Sequence, residues 1–331
     1  MKLFSFLRGV TPSVQKTVEE PIFSEFQILE LAEELSLMPQ VISELQRLST
    51  AFKKGEQPSP YRGSGFEYEE SRLYQRGDEV RHLNWRLMAR TGKAYSKLFQ
   101  EERQERWMIV LDMRSPMRLG TRKRLKVTQG IRVAGYYAWL AQQSGFPLTA
   151  VAMTEAVDVS PIFEGKNSYA EVMHHLSRPC PPLAEAEMPN LEGVLQTLQS
   201  HLSPGMRLIL ISDFIDLSEQ SLWLLSSLQS CVQLKMVQIV DVAELNLPPA
   251  SGIQLQGIDG QQKVLSEIRG AYAQWAQDYF AQKMHAYQQA DLSVKWLKTD
   301  DELAQLTTEE DQLPNWLKET FARDGSTAKN G

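Results

Sequence analysis

The sequence predicts an α/β fold built on a doubly wound, mostly parallel sheet of Rossmann type. Three observations predict it. Apolar, β-branched runs of strand length, such as WMIVLDM and LILISDF, recur from residue 107 onward. Long helical patterns separate them, and parallel strands need such crossovers. The runs are apolar on both faces, so helices must cover both sides of the sheet.

The elements follow in order. From Pro21 to Lys54 the period is helical: Phe26, Leu29, Ala32 and Leu35 recur on one face, then Val41, Leu45 and Leu48. Pro39 interrupts this pattern and forces Met38 out of helical geometry. KKGEQPSPYRGSG reads as a turn-rich linker. GDEVRHLNWRLMARTG has helix grammar: Gly77 turns the chain, Asp78 caps, Glu79 suits the positive dipole end, and Gly92 stops the helix. KAYSKLFQEE alternates like a half-exposed strand. WMIVLDM, FPLTAVAM, MRLILISDF, VQLKMVQIVD and LSVKWLK are the sheet strands, with helical segments between them. This divides the chain into an N-terminal helical segment (1–58), an arginine-rich β/α insertion (59–105), the sheet domain (106–300) and a C-terminal tail (301–331).

Composition narrows the class. Hydrophobic content of 42% and charged content of 23% over 331 residues suit a soluble globular chain. A net charge of -6 argues against a generic nucleic-acid binder, so no DNA partner is expected. Cys180 and Cys231 form no disulfide framework; packed thiols are favoured, with a bridge between them left open. MKLFSFLRGV is too short for a secretory core, and a frayed or docked terminus is favoured over one resting on a membrane. Nothing approaches the apolar run of about 18 residues that a membrane span requires. A cytoplasmic location is therefore expected.

Two aspartates end strands, Asp112 in VLDMRSPM and Asp213 in LILISDF, where open α/β sheets bind ligands. Upstream stand Arg72, Tyr74, Gly77, Asp78, Arg81 and Trp85, then Ala89-Arg90 and KLFQEE. Together these residues resemble the DUF58 family, whose core is similar to a von Willebrand factor A domain, over roughly Pro60 to Lys298. The resemblance implies a MoxR-type AAA+ ATPase as partner, with another von Willebrand factor A protein as a second. It also implies a role in assembling or activating client proteins, sometimes with metal insertion; no enzymatic activity is established for the family, and no complete catalytic constellation is found here, so a non-enzyme is expected. Many members carry membrane spans ahead of the signature; this chain has a helical segment there, which argues against an envelope role.

A von Willebrand A domain holds a divalent ion through Asp-x-Ser-x-Ser, a threonine from a later loop and a second aspartate. Here the first element reads Asp112-Met113-Arg114-Ser115-Pro116, with arginine and proline at the two serine places. Proline has no side-chain oxygen. Arginine brings a fixed cation, and a like charge at ~4 Å costs about 4 kcal/mol at an effective dielectric near 20. Pro189-Asn190 stands where the threonine is expected. Asp112, Ser115 and Asp213 remain as weak metal ligands, so no cofactor is expected and a divalent cation is disfavoured. Arg114 either replaces the ion by pairing with Asp112, Asp213 or both, or points to solvent.

Three functions compete. The leading one is a non-enzymatic adaptor whose contact patch is the sheet edge at Asp112, Arg114, Ser115 and Asp213. The second is a metal-dependent hydrolase or nuclease using Asp112 and Asp213. The third is a nucleic-acid-binding module using the basic run 114–132, that is Arg114, Arg118, Arg122, Lys123, Arg124, Lys126 and Arg132. A solvated helix face is the plainer account of that run. The stretch from Phe66 to Lys93 has no nucleophile with a base and no phosphate loop. It reads as scaffold: Arg72, Asp78, Arg81 and Arg90 pin it to the sheet domain, and Trp85 fills an apolar pocket.

Overall fold

Ser24 and Gln27 start the first helix by serving each other: the Gln27 N–H donates to Ser24 Oγ and the Ser24 N–H to Gln27 Oε1. The computed structural model describes residues 21–54, 62–63, 67–75, 83–100, 105–180, 188–247, 254–256 and 262–307. Helix α1, Glu25–Leu37, ends at Met38, which is extended at φ -72 and ψ 116, and α2, Pro39–Lys54, restarts at the proline. That is the break the sequence predicts. The buried face is not the one it predicts, however. Ile28, Leu31 and Leu35 are inside, whereas Phe26 and Leu29 are 74% and 69% exposed. The helix carries two apolar stripes, and a 3.6-residue period alone does not say which one is buried.

The first short sheet comprises β1, Arg62–Gly63, β2, Glu67–Leu73, and β3, Tyr95–Gln100, in the antiparallel order β1-β3-β2. Between β2 and β3 lies α3, Trp85–Thr91. It starts later than its grammar suggests, because Leu83 is bridged to Ser96 and Asn84 becomes the cap, accepting from the Leu87 N–H at 3.1 Å. Gly92 closes it at φ 69, as a left-handed C-terminal glycine should. The expected cap Asp78 lies outside the described residues.

The main body begins with β4, Trp107–Asp112, then α4, Lys126–Ser144, β5, Leu148–Met153, and β6, Val157–Val159. Next come α5, Ser168–Leu176, α6, Leu191–Gln199, β7, Arg207–Ser212, α7, Glu219–Gln229, β8, Gln233–Val240, and α8, Val242–Leu245. A hairpin, β9, Gln254–Gln256, with β10, Gln262–Val264, leads to α9, Leu265–Gln289, and β11, Val294–Lys298. The sheet order is β11-β8-β7-β4-β5-β6, parallel throughout except for the edge strand β6. Every residue of β4 and β5 is buried, as strands covered on both faces must be. From β4 the chain winds one way to β5, then returns past β4 to wind the other way through β7, β8 and β11. The switch point therefore lies between the carboxyl ends of β4 and β7.

Two compact units are present: Met1–Leu45 with Arg106–Gly331, and Gln46–Glu105. The stretch 1–58, expected as one segment, thus divides. Its first helix belongs to the sheet body because Gly135 of α4 admits Leu31: a Cβ on that glycine would stand 2.7 Å from Leu31 Cδ2. The Tyr169 hydroxyl donates to the Ile28 carbonyl at 3.0 Å, and Arg132 Nη2 donates to Glu34 at 2.9 Å and 3.0 Å. The tail expected from 301 begins later, since Leu303 is fully buried.

Candidate functional site

Asp112 ends β4, and two residues later the chain turns so that Arg114 faces back on it. Asp112 Oδ1 accepts the Arg114 backbone N–H and its Nε–H, both at 3.0 Å, while Oδ2 accepts Nη2 at 2.7 Å. The other side of the guanidinium meets Asp216: Nη1 donates to Oδ2 at 2.6 Å and Nη2 to Oδ1 at 3.0 Å. Nη1 also donates to the Pro189 carbonyl at 3.0 Å. A guanidinium has five N–H bonds, and all five are used. Burial works against this charge, but Asp112 and then Asp216 outweigh it and hold the Arg114 pKa above its ordinary value.

The clasp ties three segments together. Ser212, the last residue of β7, donates its hydroxyl to Asp112 Oδ2 at 2.6 Å and accepts the Phe214 N–H at 2.9 Å. Phe214 sits at φ 50, a sparse conformation for a bulky residue, and that hydrogen bond helps to hold it. Asp216 also accepts the Leu191 N–H at 2.7 Å, at the start of α6. The loop where the resemblance asks for a threonine supplies the Pro189 carbonyl instead.

Asp213 does not join this clasp. Its Oδ2 accepts Lys126 Nζ at 2.7 Å, and Lys126 also donates to Glu244 Oε1 at 2.6 Å. Lys283 of α9 donates to the Asp213 backbone carbonyl at 2.7 Å and to the Tyr279 hydroxyl at 3.3 Å. Burial penalises Lys126, yet Asp213 and Glu244 carry its pKa above the ordinary lysine value. Burial would raise Asp213, but the Lys126 cation brings it down; burial keeps Glu244 up despite the same lysine. Among the described residues no carboxylate pairs directly with the Lys283 nitrogen; burial outweighs the attraction of Asp213 and Glu244 and pulls its pKa down to about 7. Asp213, Gln238, Glu244, Tyr279 and Lys283 border a cavity of about 10 Å³, room for at most one water.

The second acid on Arg114 is therefore Asp216 rather than Asp213. The sequence shows Asp216 in the same SDFID loop, three residues on, but strand-end position drew attention to Asp213 alone. Ser115 turns away from the acids: its N–H and hydroxyl meet Met188 Sδ at 3.2 Å and 3.7 Å. Asp112, Arg114 and Asp213 are only 1%, 5% and 5% exposed, so they cannot form the contact patch expected of them. Among the described residues, no group of three or more His, Cys, Asp or Glu side chains is arranged to hold a metal ion.

The basic run 114–132 is not one cationic face either: Arg122 and Lys123 are exposed, the others are buried or half-buried, and each meets acids or carbonyls. Arg118 is buried and donates to the Met113 carbonyl and Glu155. Arg122 pairs with Asp300, Lys123 with Glu302, and Arg132 with Glu34. Arg124 donates to Gln129 and to the carbonyls of Thr299 and Asp301. Helix α4 starts only at Lys126, so most of the run lies in the turn that these acids hold.

Of the signature segment, Arg72 lies in β2 opposite Ser96, and the Tyr74 N–H donates to the Ala94 carbonyl at 3.0 Å. Trp85 fills no pocket: it is the first residue of α3 and is 58% exposed. Arg90 is exposed in the last turn of α3, where a cation suits the dipole, and so is not a buried pin. Gly77, Asp78 and Arg81 lie outside the described residues. Cys180 and Cys231 are both free thiols.

The family described as "protein of unknown function DUF58" matches residues 70–286. Uncharacterized proteins of Mycobacterium bovis and Mycobacterium tuberculosis are 24% identical over 209 residues, covering 62% of this chain. The chain spans 64% of the length of these relatives. Similar solved structures include the conserved hypothetical protein BatB from Bacteroides thetaiotaomicron, at 11% identity and TM-score 0.42, covering 66% of this chain and 99% of that one. An aerotolerance-related membrane protein from Bacteroides fragilis matches at 12% and 0.39, with 66% and 99% covered. A von Willebrand factor type A protein from Catenulispora acidiphila matches at 15% and 0.33, over 43% of this chain and 35% of that one. No described helix is long and apolar enough to cross a membrane.

Proposed function

The chain belongs to the DUF58 family, and from that premise we propose that it is a non-enzymatic adaptor whose sheet body is held by an internal guanidinium in place of a divalent ion. Its partner in this reading is a MoxR-type AAA+ ATPase, with a second von Willebrand factor A protein alongside, and its task is assembly or activation of client proteins in the cytoplasm. One observation carries the proposal: all five N–H bonds of Arg114 end on Asp112, Asp216 and the Pro189 carbonyl. A saturated guanidinium can neither accept a partner's carboxylate nor leave the Asp112 oxygens to a metal. The clasp therefore supports a rigid platform, with contacts made by other surfaces. Hydrolysis at Asp112 and Asp213 would require undoing both the Arg114 and the Lys126 ion pairs first.

Affinity capture of the tagged chain from a native extract, with and without EDTA and nuclease, tests this reading. An AAA+ ATPase retained through both treatments is the expected result. Loss with EDTA, or retention of nucleic acid alone, would contradict it.

A further inference from the structure

Helices α6 and α7 pack beside each other over the sheet, with Leu191, Val194 and Leu195 of α6 and Leu224, Leu225 and Leu228 of α7 turned into the core. Their outer faces carry almost no charge. From Leu191 to Gln199 and from Glu219 to Gln229 the ionisable side chains are Glu192 and Glu219 alone, each in the first turn of its helix. The outer face of a surface helix ordinarily carries charged residues along its length, and loss of charge is a mark of an interface centre. On this face Trp223 stands 68% exposed. Tryptophan is among the residue types most enriched where interfaces hold their binding energy.

The spacing on α7 says what fits there. Glu219, Trp223, Ser226 and Ser230 are all exposed, and at 100° per residue they fall within about 60° of one another. Steps of four, three and four residues make the seam along which one helix packs on another. The seam complements itself in size, since a large ring is followed one turn later by a small hydroxymethyl group. Charge sets the sense of pairing. Two parallel copies of α7 would bring Glu219 against Glu219. An antiparallel pair, with its two-fold axis between positions 223 and 226, sets each Trp223 over the partner's Ser226. The two Glu219 side chains then lie about 16 Å apart along the axis, well beyond the screening length of about 8 Å at physiological salt. Neither helix carries a cation that would select an acidic partner instead.

We propose that this face is a self-association surface, on which two copies of the chain pair through antiparallel α7 helices with each Trp223 seated over the partner's Ser226. The contact goes beyond the adaptor reading and leaves the Arg114 clasp untouched. A helix of 11 residues offers a small area, so the pair is a reversible one, with a Kd in the micromolar range.

Sedimentation velocity of the full chain under reducing conditions, from about 1 to 500 µM, tests this and should show a monomer–dimer equilibrium. Trp223→Lys and Ser226→Glu, both at exposed positions, should each weaken it at least tenfold with circular dichroism unchanged. Mixed in equal amounts, the two variants should recover the dimer: the introduced cation and anion face each other in one layer, and the other layer keeps Trp223 on Ser226. A parent chain that stays monomeric throughout, single variants that still dimerise, or a mixture that recovers nothing would each overturn the proposal.

Discussion

Arg114→Ala leaves Asp112 buried without its counter-charge and frees Asp216 from one side of the clasp. The two acids are not equivalent: their side chains are 1% and 29% exposed. Water can replace the guanidinium at Asp216 but not at Asp112. Removing one partner of a buried ion pair costs about 3–5 kcal/mol. For a body of this size, each kcal/mol lowers the melting temperature by about 2–4 °C, so a drop of roughly 10 °C is expected. Arg114→Lys should recover little, because a point charge cannot bond two carboxylates and a carbonyl in one plane. Arg114→Met with Asp112→Asn removes both charges and should recover at least about 2 kcal/mol of the loss. Urea melts followed by the fluorescence of buried Trp107 provide the assay. If Arg114→Ala unfolds within about 1 kcal/mol of the parent, the guanidinium is solvated and the clasp argument fails.

Three further outcomes follow from the same geometry. Lys283 has a folded pKa of about 7 against an ordinary 10.5, so the unfolded chain binds the extra proton between those values. Stability should rise with pH across that window, by at most about 1.4 kcal/mol per pH unit, and Lys283→Met should flatten the rise; an unaltered slope between pH 7.5 and 9 would refute this. Gly135→Ala sets a methyl 2.7 Å from Leu31 Cδ2 and should cost about 1–3 kcal/mol, measured by thermal melting, with no loss if α1 is not packed there. Trp85→Ala, at a 58% exposed position, should change stability by less than about 0.5 kcal/mol; a large loss would restore the pocket expected for it.

The sheet was legible because its information is local: a strand covered on both faces has to be a short apolar run, and β4, β5 and β7 are, while β8 keeps such a run in its buried second half and the edge strand β11 alternates. The edge strand β6 and the β9–β10 hairpin carry weaker patterns, since three-residue strands have too few positions to show a period. The Met38 break could be read because proline acts on its neighbour; the buried side of α1 depends on Gly135, which is distant in sequence. The same division runs through the site. Arg114 at a serine place announces a cation beside Asp112, an i, i+2 relation. Its second acid, Asp216, and the pairing of Lys126 with Glu244 arise only when strands far apart in sequence lie side by side. The cations of 114–132 look like one basic run until the fold brings acids such as Glu34, Glu155, Asp300 and Glu302 to them.

Titration calorimetry of the intact chain with manganese is the most direct test of the guanidinium standing in for an ion. No saturable heat is expected, because Asp112 has given its lone pairs to Arg114 and Ser212. Stoichiometric binding that disappears in Asp112→Ala would show that the carboxylate is open to a metal and would contradict the account.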